Sequence, residues 1–104
     1  MKPRLKSYHE YLIEKLRDPG EREAYLNAAL EDGDPKTLLK ALRNVAEATG
    51  GMRKLASKTN LSRESLYRML SERGNPELRS LGRVLSSFGL SLRVAAHRPA
   101  AHAH

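Results

Sequence analysis

The 104-residue sequence has no cysteine and no tryptophan, and its longest apolar runs are only a few residues. The absence of cysteine excludes a disulfide framework, a cysteine zinc site and a thiol nucleophile. The short apolar runs argue against a membrane-spanning helix, and the charged start MKPRLKSYHEYL lacks the apolar core of a secretory signal. We therefore expect one cytoplasmic domain with no membrane partner, large enough to bury about two-thirds of its surface.

The formal net charge of +7 comes entirely from the second half of the sequence. Residues 1–50 contain nine Lys and Arg against nine Asp and Glu, whereas residues 51–104 contain ten against three. A basic half in a chain with an isoelectric point near 10.1 is typical of nucleic-acid binding. An anionic membrane surface or an acidic protein would also be attracted to it.

Capping residues and apolar periods predict three helices in the first half. Ser7 and Glu10 form a capping box that opens the first helix. Asp18 and Asp34, each followed by proline, begin the second and third helices, and the glycine pair at 50–51 ends the third.

The second half is predicted to contain three more helices. The fourth spans about 52–59, the fifth spans 62–70, and Asn75, which Pro76 holds extended, caps the sixth. The sixth helix carries one apolar face, made of Leu78, Leu81, Leu85 and Phe88. That face is interpreted as core rather than as a cofactor site.

Residues 55–70, LASKTNLSRESLYRML, meet the spacing requirements of a helix-turn-helix. Such a unit needs a small residue where the helices cross, a turn residue tolerant of left-handed φ, and buried apolar residues on both sides. Ala56 is the small residue, Asn60 is the turn residue, and Leu61 follows it into the core. The inward face of the second helix is then Leu66, Met69 and Leu70.

The outward face of the same helix is predicted to contact DNA. Ser62 caps its N-terminal turn, which is the end that a recognition helix places in the major groove. Arg63 and Arg68 could pair with guanine or clamp phosphates, and Tyr67 could reach a phosphate or a thymine methyl group unless it is partly buried. Glu64 could accept from a cytosine amino group or only complete the cap electrostatics. The predicted DNA-binding residues are Arg53, Lys54, Ser62, Arg63, Glu64, Ser65, Tyr67, Arg68 and Arg73.

Residues 55–94, together with the preceding AYLNAALEDGDPKTLLKALRNVAEATGGM, resemble the HigA-type addiction-module antidote family of Xre-like transcriptional regulators. The resemblance covers about residues 8–95 and is most specific in SRESLY at 62–67 and GNP at 74–76. The turn KTN at 58–60 lacks the glycine usual in that family. The predicted fold is all-α, a compact five- or six-helix lambda-repressor-like helix-turn-helix domain with a short C-terminal β-strand.

The resemblance implies the antitoxin of a type II toxin–antitoxin module. Such a protein is a homodimeric repressor that binds an inverted-repeat operator in its own operon, and it neutralises a RelE/ParE-like (HigB-type) mRNA-cleaving toxin. Residues 1–34 are then an N-terminal helical extension packed on the domain, and residues 35–95 are the DNA-binding domain with a dimerisation strand. Residues 96–104 are expected to be a disordered tail, and the protein is expected at the bacterial nucleoid.

The strand is residues 90–95, LSLRVA, in which apolar and polar residues alternate. A single strand leaves backbone groups unpaired, so we expect it to pair with its own copy across a two-fold axis. The predicted dimerisation residues are Leu90, Leu92 and Val94. The alternative is pairing within the chain, near residues 4–6.

Residues 7–34 concentrate acidic and aromatic side chains that DNA binding leaves unused. An RNA-cleaving toxin must be basic to hold RNA, so an acidic segment is a suitable binding surface for it. The aromatic side chains would supply apolar contact area, and the carboxylates would steer association. The predicted toxin-binding residues are Tyr8, Tyr11, Glu14 and Tyr25. The alternative is that these tyrosines belong to the domain core.

Nothing in the sequence indicates an enzyme, a cofactor or a metal site. It has no Gly-rich phosphate loop and no His/Asp/Ser set, and His97, His102 and His104 lie in a tail that could not fix metal geometry. Two other functions stay open: a stand-alone prophage-type repressor without a toxin, and a basic helical module that binds protein or RNA. A neighbouring gene for a basic RelE-like protein would favour the antitoxin.

Overall fold

A computed structural model describes residues 5–97 of the chain, and these residues form helices joined by turns and irregular segments. The helices in chain order are α1 (Tyr8–Lys15), α2 (Pro19–Asp32), α3 (Pro35–Ala48), α4 (Gly51–Thr59), α5 (Arg63–Met69) and α6 (Leu78–Ser87). No helix in this part of the chain is long and apolar enough to cross a membrane. Because every regular element of the described residues is a helix, the all-helical part of the fold prediction is confirmed.

The predicted starts of the first three helices are confirmed. Ser7 Oγ accepts from the Glu10 N–H at 3.0 Å, and the Glu10 carboxylate accepts from the Ser7 N–H at 3.3 Å, which completes the capping box. Asp18 accepts from the Glu21 N–H, and Asp34 accepts from the Lys36 N–H, both at 3.0 Å. Each carboxylate therefore satisfies a backbone donor that the helix itself cannot pair.

One core joins all six helices. α3 packs against α1, α2 and α4, and α4 also packs against α5 and α6. The most deeply buried large side chains are Leu16, Leu42, Val45, Leu66, Leu70, Val84 and Phe88. Leu16 at the end of α1 belongs to the same cluster as Phe88 at the end of α6, so the N-terminal helices share the core of the basic half.

Two predictions for the sixth helix were wrong. Its N-cap is Glu77 rather than Asn75, and no side chain hydrogen-bonds to its first turn. Leu78, the first residue of α6, is 74% exposed, whereas Val84, about one and a half turns later, is fully buried. The apolar face therefore begins one turn later than the leucine spacing suggested.

Arg22 on α2 forms hydrogen bonds that connect α2 with the C-terminal ends of α1 and α6. Its Nη1 donates to the carbonyls of Leu16 and Arg17 at 3.2 and 2.9 Å, and its Nε donates to the Phe88 carbonyl at 3.3 Å. These carbonyls lie at or beyond helix C-termini, where acceptors lack an intrahelical partner. The partly buried guanidinium thereby ties α1, α2 and the end of α6 to one point.

The structure does not show the predicted strand. Residues 90–97 are irregular and form no ladder with any described residue, including residues 5–6 of the alternative pairing. A strand is defined by hydrogen bonds to a neighbouring strand, and the expected neighbour is a second copy of the chain. Strand pairing therefore stays a prediction. The predicted tail from residue 98 to residue 104 lies outside the described residues.

Candidate nucleic-acid interface

The turn between α4 and α5 has the backbone geometry expected of a helix-turn-helix. Asn60 has φ 61° and ψ 28°, which is left-handed, and its N–H donates to the Ala56 carbonyl at 3.0 Å. Asparagine tolerates this region better than other non-glycine residues. Asn60 therefore adopts the left-handed conformation that was predicted for the turn residue.

A buried threonine secures this turn from inside. Thr59 is 4% exposed, and its Oγ1 donates to the Leu55 carbonyl at 2.7 Å. The same oxygen accepts from the Leu61 N–H at 3.3 Å, the first N–H after the turn residue. Because one hydroxyl bonds to both sides of Asn60, it fixes the direction in which the chain enters α5.

Ser62 begins α5 as predicted. Its Oγ accepts from the Ser65 N–H at 3.0 Å and donates to Ser65 Oγ at 2.9 Å. Both hydroxyls are thereby held at the helix start, and Ser65 is half-buried. Their first role is consequently to shape the N-terminal turn of α5.

The two faces of α5 divide as the sequence predicted. Leu66 and Leu70 are fully buried, and Met69 is partly buried at the edge of the core. Tyr67 is 61% exposed, so most of its surface is open to solvent, and the alternative of a partly buried packing role stays open. Arg63, Glu64 and Arg68 are also exposed. The outward face therefore presents two cations, one carboxylate and one aromatic ring.

The predicted cationic DNA-binding residues form no ion pair within the described part of the chain. The predicted cationic DNA-binding residues are all exposed, and within residues 5–97 none lies within ion-pair distance of a carboxylate; they are Arg53, Lys54, Arg63, Arg68 and Arg73. Lys58 on α4 and Arg79 on α6 are likewise exposed and unpaired in this part of the chain. The charges are therefore available to an external anion.

Two features at the C-terminal end of α5 were not revealed by the sequence. Arg43 Nη1 donates to the carbonyl of Leu70, the C-cap residue, and so ties α3 to α5. Gly74 approaches the end of α5 so closely that a Cβ would lie 2.1 Å from the Met69 carbonyl oxygen. The apolar period of α3 could have predicted that Arg43 lies at the edge of that helix. It could not have predicted the hydrogen bond, because the acceptor is 27 residues away along the chain.

The predicted toxin-binding residues lie in two different environments. Tyr8 and Tyr11 on α1 are 82% and 63% exposed, so neither belongs to the core. Glu14 is exposed and pairs with Lys6 at 2.6 Å, and this hydrogen-bonded ammonium lowers the pKa of the Glu14 carboxyl. Tyr25 is partly buried, and its hydroxyl accepts from Asn44 Nδ2 at 2.9 Å. Tyr25 thus supports the packing of α2 on α3 as well.

The predicted dimerisation residues become more exposed along the C-terminal segment. Leu90 is partly buried against the core, Leu92 is 46% exposed, and Val94 is fully exposed. An apolar side chain such as Val94 with no contact surface gains nothing in the isolated chain. Leu92 and Val94 therefore leave apolar surface exposed in the described part of the chain.

Comparison with known proteins identifies the family. A family model described as "probable addiction module antidote protein" matches residues 8–96, which is most of the chain. The chain belongs to this antidote family. It is also similar to an uncharacterized protein of Haemophilus influenzae, with 32% identity over 87 residues that cover 84% of this chain and 89% of the relative. No solved structure matches significantly.

In this antidote-family chain, acidic residues predominate in the N-terminal part and basic residues predominate in the C-terminal part. Residues 5–34, which hold α1 and α2, contain eight Asp and Glu against four Lys and Arg. Residues 35–97, which hold α3 to α6, contain four against twelve. One part of the antidote chain therefore attracts cations while the other attracts anions, and the two are joined by a single core.

Proposed function

We propose that the chain is the antitoxin of a type II toxin–antitoxin module, of the HigA type. In this proposal it is a homodimeric, sequence-specific repressor of its own operon that also neutralises a RelE/ParE-like mRNA-cleaving toxin in the bacterial cytoplasm. It acts at the nucleoid, by binding alone, without enzymatic activity or a cofactor. Membership of the antidote family supports the toxin partner, and the geometry of α4 and α5 supports DNA as the second partner.

The observation that carries DNA binding is the start of α5. A left-handed Asn60, the Ser62 cap and the unpaired Arg63 converge on one exposed helix end. A helix N-terminus of this kind fits the major groove, where arginine can pair with the N7 and O6 of guanine. Arg53, Lys54, Arg73 and Arg79 then contact phosphates, which positions the helix without reading sequence.

Dimerisation through the C-terminal segment completes this proposal. Antiparallel pairing of residues 90–95 with a second copy would satisfy their backbone groups and bring Leu92 and Val94 against the partner. Two α5 helices related by a two-fold axis would then read half-sites about one DNA turn apart. A single-chain mass that persists at high micromolar concentration in sedimentation analysis would contradict this part of the proposal.

Operator binding is tested by comparing Arg63→Ala with Arg79→Ala. We expect Arg63→Ala to cost about 1–3 kcal/mol and to relax discrimination at one or two base pairs, because it removes a base contact. Arg79→Ala should weaken binding to all sequences alike, because it removes a phosphate contact. Fluorescence anisotropy with the promoter duplex and single-substitution duplexes measures both. Equal relaxation of discrimination by the two variants would contradict the assignment of Arg63.

Toxin binding is best tested at Tyr8 and Tyr11. Deleting residues 1–17 would also remove Leu16, which is 1% exposed in the core, so truncation would confuse binding with folding. The double variant Tyr8→Ser, Tyr11→Ser alters exposed side chains only, and we expect it to keep operator binding and lose rescue of toxin-expressing cells. Full rescue at normal abundance would refute the assignment. Failure of the wild type to rescue would favour a stand-alone repressor.

A further inference from the structure

A groove lies between α2 and the C-terminal segment that follows α6. Its volume is about 380 Å³. One wall is the face of α2 made of Glu23, Leu26, Asn27 and Leu30, whose three- and four-residue spacing is that of one helix face. The other wall is residues 89–93. This α2–C-terminal groove contains none of the predicted DNA-binding or toxin-binding residues.

The groove exposes apolar side chains on both of its walls. Leu30 on α2 is 52% exposed, and Leu92 on the C-terminal segment is 46% exposed. Leu26 and Leu85, which also line the groove, belong to the core, so the exposed leucines extend the core outward. Val94, the next apolar residue of the segment, is fully exposed. An occupant that covers these side chains is stabilised by the apolar area that it buries.

The charges that line the groove are one of each sign. They are the carboxylate of Glu23 on α2 and the guanidinium of Arg93 on the C-terminal segment, and no other charged side chain lines the groove. Both are exposed, and neither forms an ion pair in the part of the chain that the structure describes. A surface that binds its own copy must be self-complementary, and a balanced pair of charges meets that requirement.

The positions of these two charges fit an antiparallel dimer. The Phe88 carbonyl accepts from Arg22 Nε at 3.3 Å, so the C-terminal segment starts beside the part of α2 that holds Glu23. Arg93 lies four residues beyond Gly89, toward the other end of the segment. When two such segments pair antiparallel across a two-fold axis, the end of one lies beside the start of the other. Arg93 of the partner subunit would then approach Glu23, and symmetry repeats the contact.

We propose that the α2–C-terminal groove binds the C-terminal segment of a second copy of the chain, through two symmetric ion pairs that join Glu23 to the partner's Arg93. The second copy is the homodimer partner of the proposed function, on which this inference rests. The partner's Leu92 and the partner's Val94 cover Leu30, which buries the apolar surface of both chains. The dimer interface therefore includes α2 as well as the C-terminal segment.

Charge reversal in separate chains distinguishes pairing between copies from pairing within one chain. Glu23→Arg and Arg93→Glu each place like charges at both contacts of a homodimer. An equimolar mixture of the two variants restores unlike charges only between chains, because positions 23 and 93 of each chain still have the same sign. Glu31→Arg is the matched control, since Glu31 is an exposed carboxylate of α2 that does not line the groove. Sedimentation equilibrium of the full-length chain measures the dimer dissociation constant.

We expect each single variant to weaken the dimer at least about tenfold, and the mixture to form a dimer nearly as tight as that of the wild type. Glu31→Arg should leave the dissociation constant nearly unchanged. Leu30→Ser should weaken the dimer as well, because it removes apolar area that the partner covers. Since all of the altered positions are exposed, thermal unfolding of the dilute, monomeric chain should stay close to that of the wild type.

The contrary results separate this interface from the dimer itself. If the wild type dimerises and both charge variants dimerise equally well, the groove is overturned while pairing of the C-terminal segments stands. Weakened single variants with no recovery in the mixture would also overturn the inference, because the charges would then not meet between chains. A wild type that stays monomeric at high micromolar concentration overturns both. Normal dimerisation of Leu30→Ser with loss of toxin binding would assign the groove to the toxin and overturn the inference.

Discussion

Gly74 provides the sharpest test of how the end of α5 is held. A Cβ at this position would lie 2.1 Å from the Met69 carbonyl oxygen and 2.6 Å from the Met69 carbonyl carbon. Real Cβ atoms essentially never approach closer than 3.0 Å, so Gly74→Ala must push two backbone segments apart by about 1 Å. Forcing extra volume into a packed site costs about 1–3 kcal/mol.

Gly82→Ala is the matched control with the opposite expected sign. Gly82 lies inside α6, and a Cβ there would meet nothing within 4 Å. Alanine in a helix interior is more favourable than glycine by about 0.5–1 kcal/mol, so this variant should be stabilised.

Chemical and thermal denaturation measure both variants. For a domain of this size about 1 kcal/mol corresponds to a shift in Tm of about 4–8 °C, so the two variants should move in opposite directions by readily measured amounts. Gly74→Ala should also weaken operator binding, because Met69 is the last residue of α5. Equal stability of the two variants would refute the close approach at Gly74.

Two further variants test contacts that the structure reveals elsewhere. Arg43→Met keeps an apolar stem but removes the donor to the Leu70 carbonyl, and it should lower the free energy of unfolding by about 1 kcal/mol in urea titration; an unchanged midpoint would contradict that bond. In NMR titration the Glu14 carboxyl should titrate below its ordinary pKa of 4.5, and Lys6→Met should raise the midpoint toward that value. Because the folded-state pKa is the lower one, the pair stabilises the fold above the unfolded pKa and loses this contribution as the pH falls through the folded pKa.

Local signals predicted most of the fold because short-range chemistry determines it. A carboxylate or hydroxyl at Ser7, Asp18 or Asp34 bonds to a backbone N–H two or three residues away, so sequence spacing alone reveals it. The same holds for Asn60, whose left-handed turn follows from the chemistry of one residue. The predictions at these four positions were confirmed, whereas the equally local prediction of a cap at Asn75 was wrong.

Contacts between distant segments could not be predicted in the same way. Arg22 bonds to Phe88 across 66 residues, and Asn44 bonds to Tyr25 across 19, and neither pair leaves a periodic signal. The proline that follows Asn75 suggested that Asn75 caps the sixth helix. In the structure the residue with the extended backbone of an N-cap is Glu77, and α6 begins at Leu78. The exposed face of α5 could be predicted from spacing, whereas the support behind it could not.

The measurement that tests the central claim most directly is a titration of the wild-type chain against two labelled duplexes. One duplex carries the promoter of its own operon and the other is a scrambled sequence of equal length, and anisotropy is recorded at several salt concentrations. The account predicts clear preference for the promoter at moderate salt and affinity that falls steeply as salt rises, because several cations displace phosphate counterions. Equal affinity for the two duplexes at moderate salt would contradict sequence-specific reading by α5.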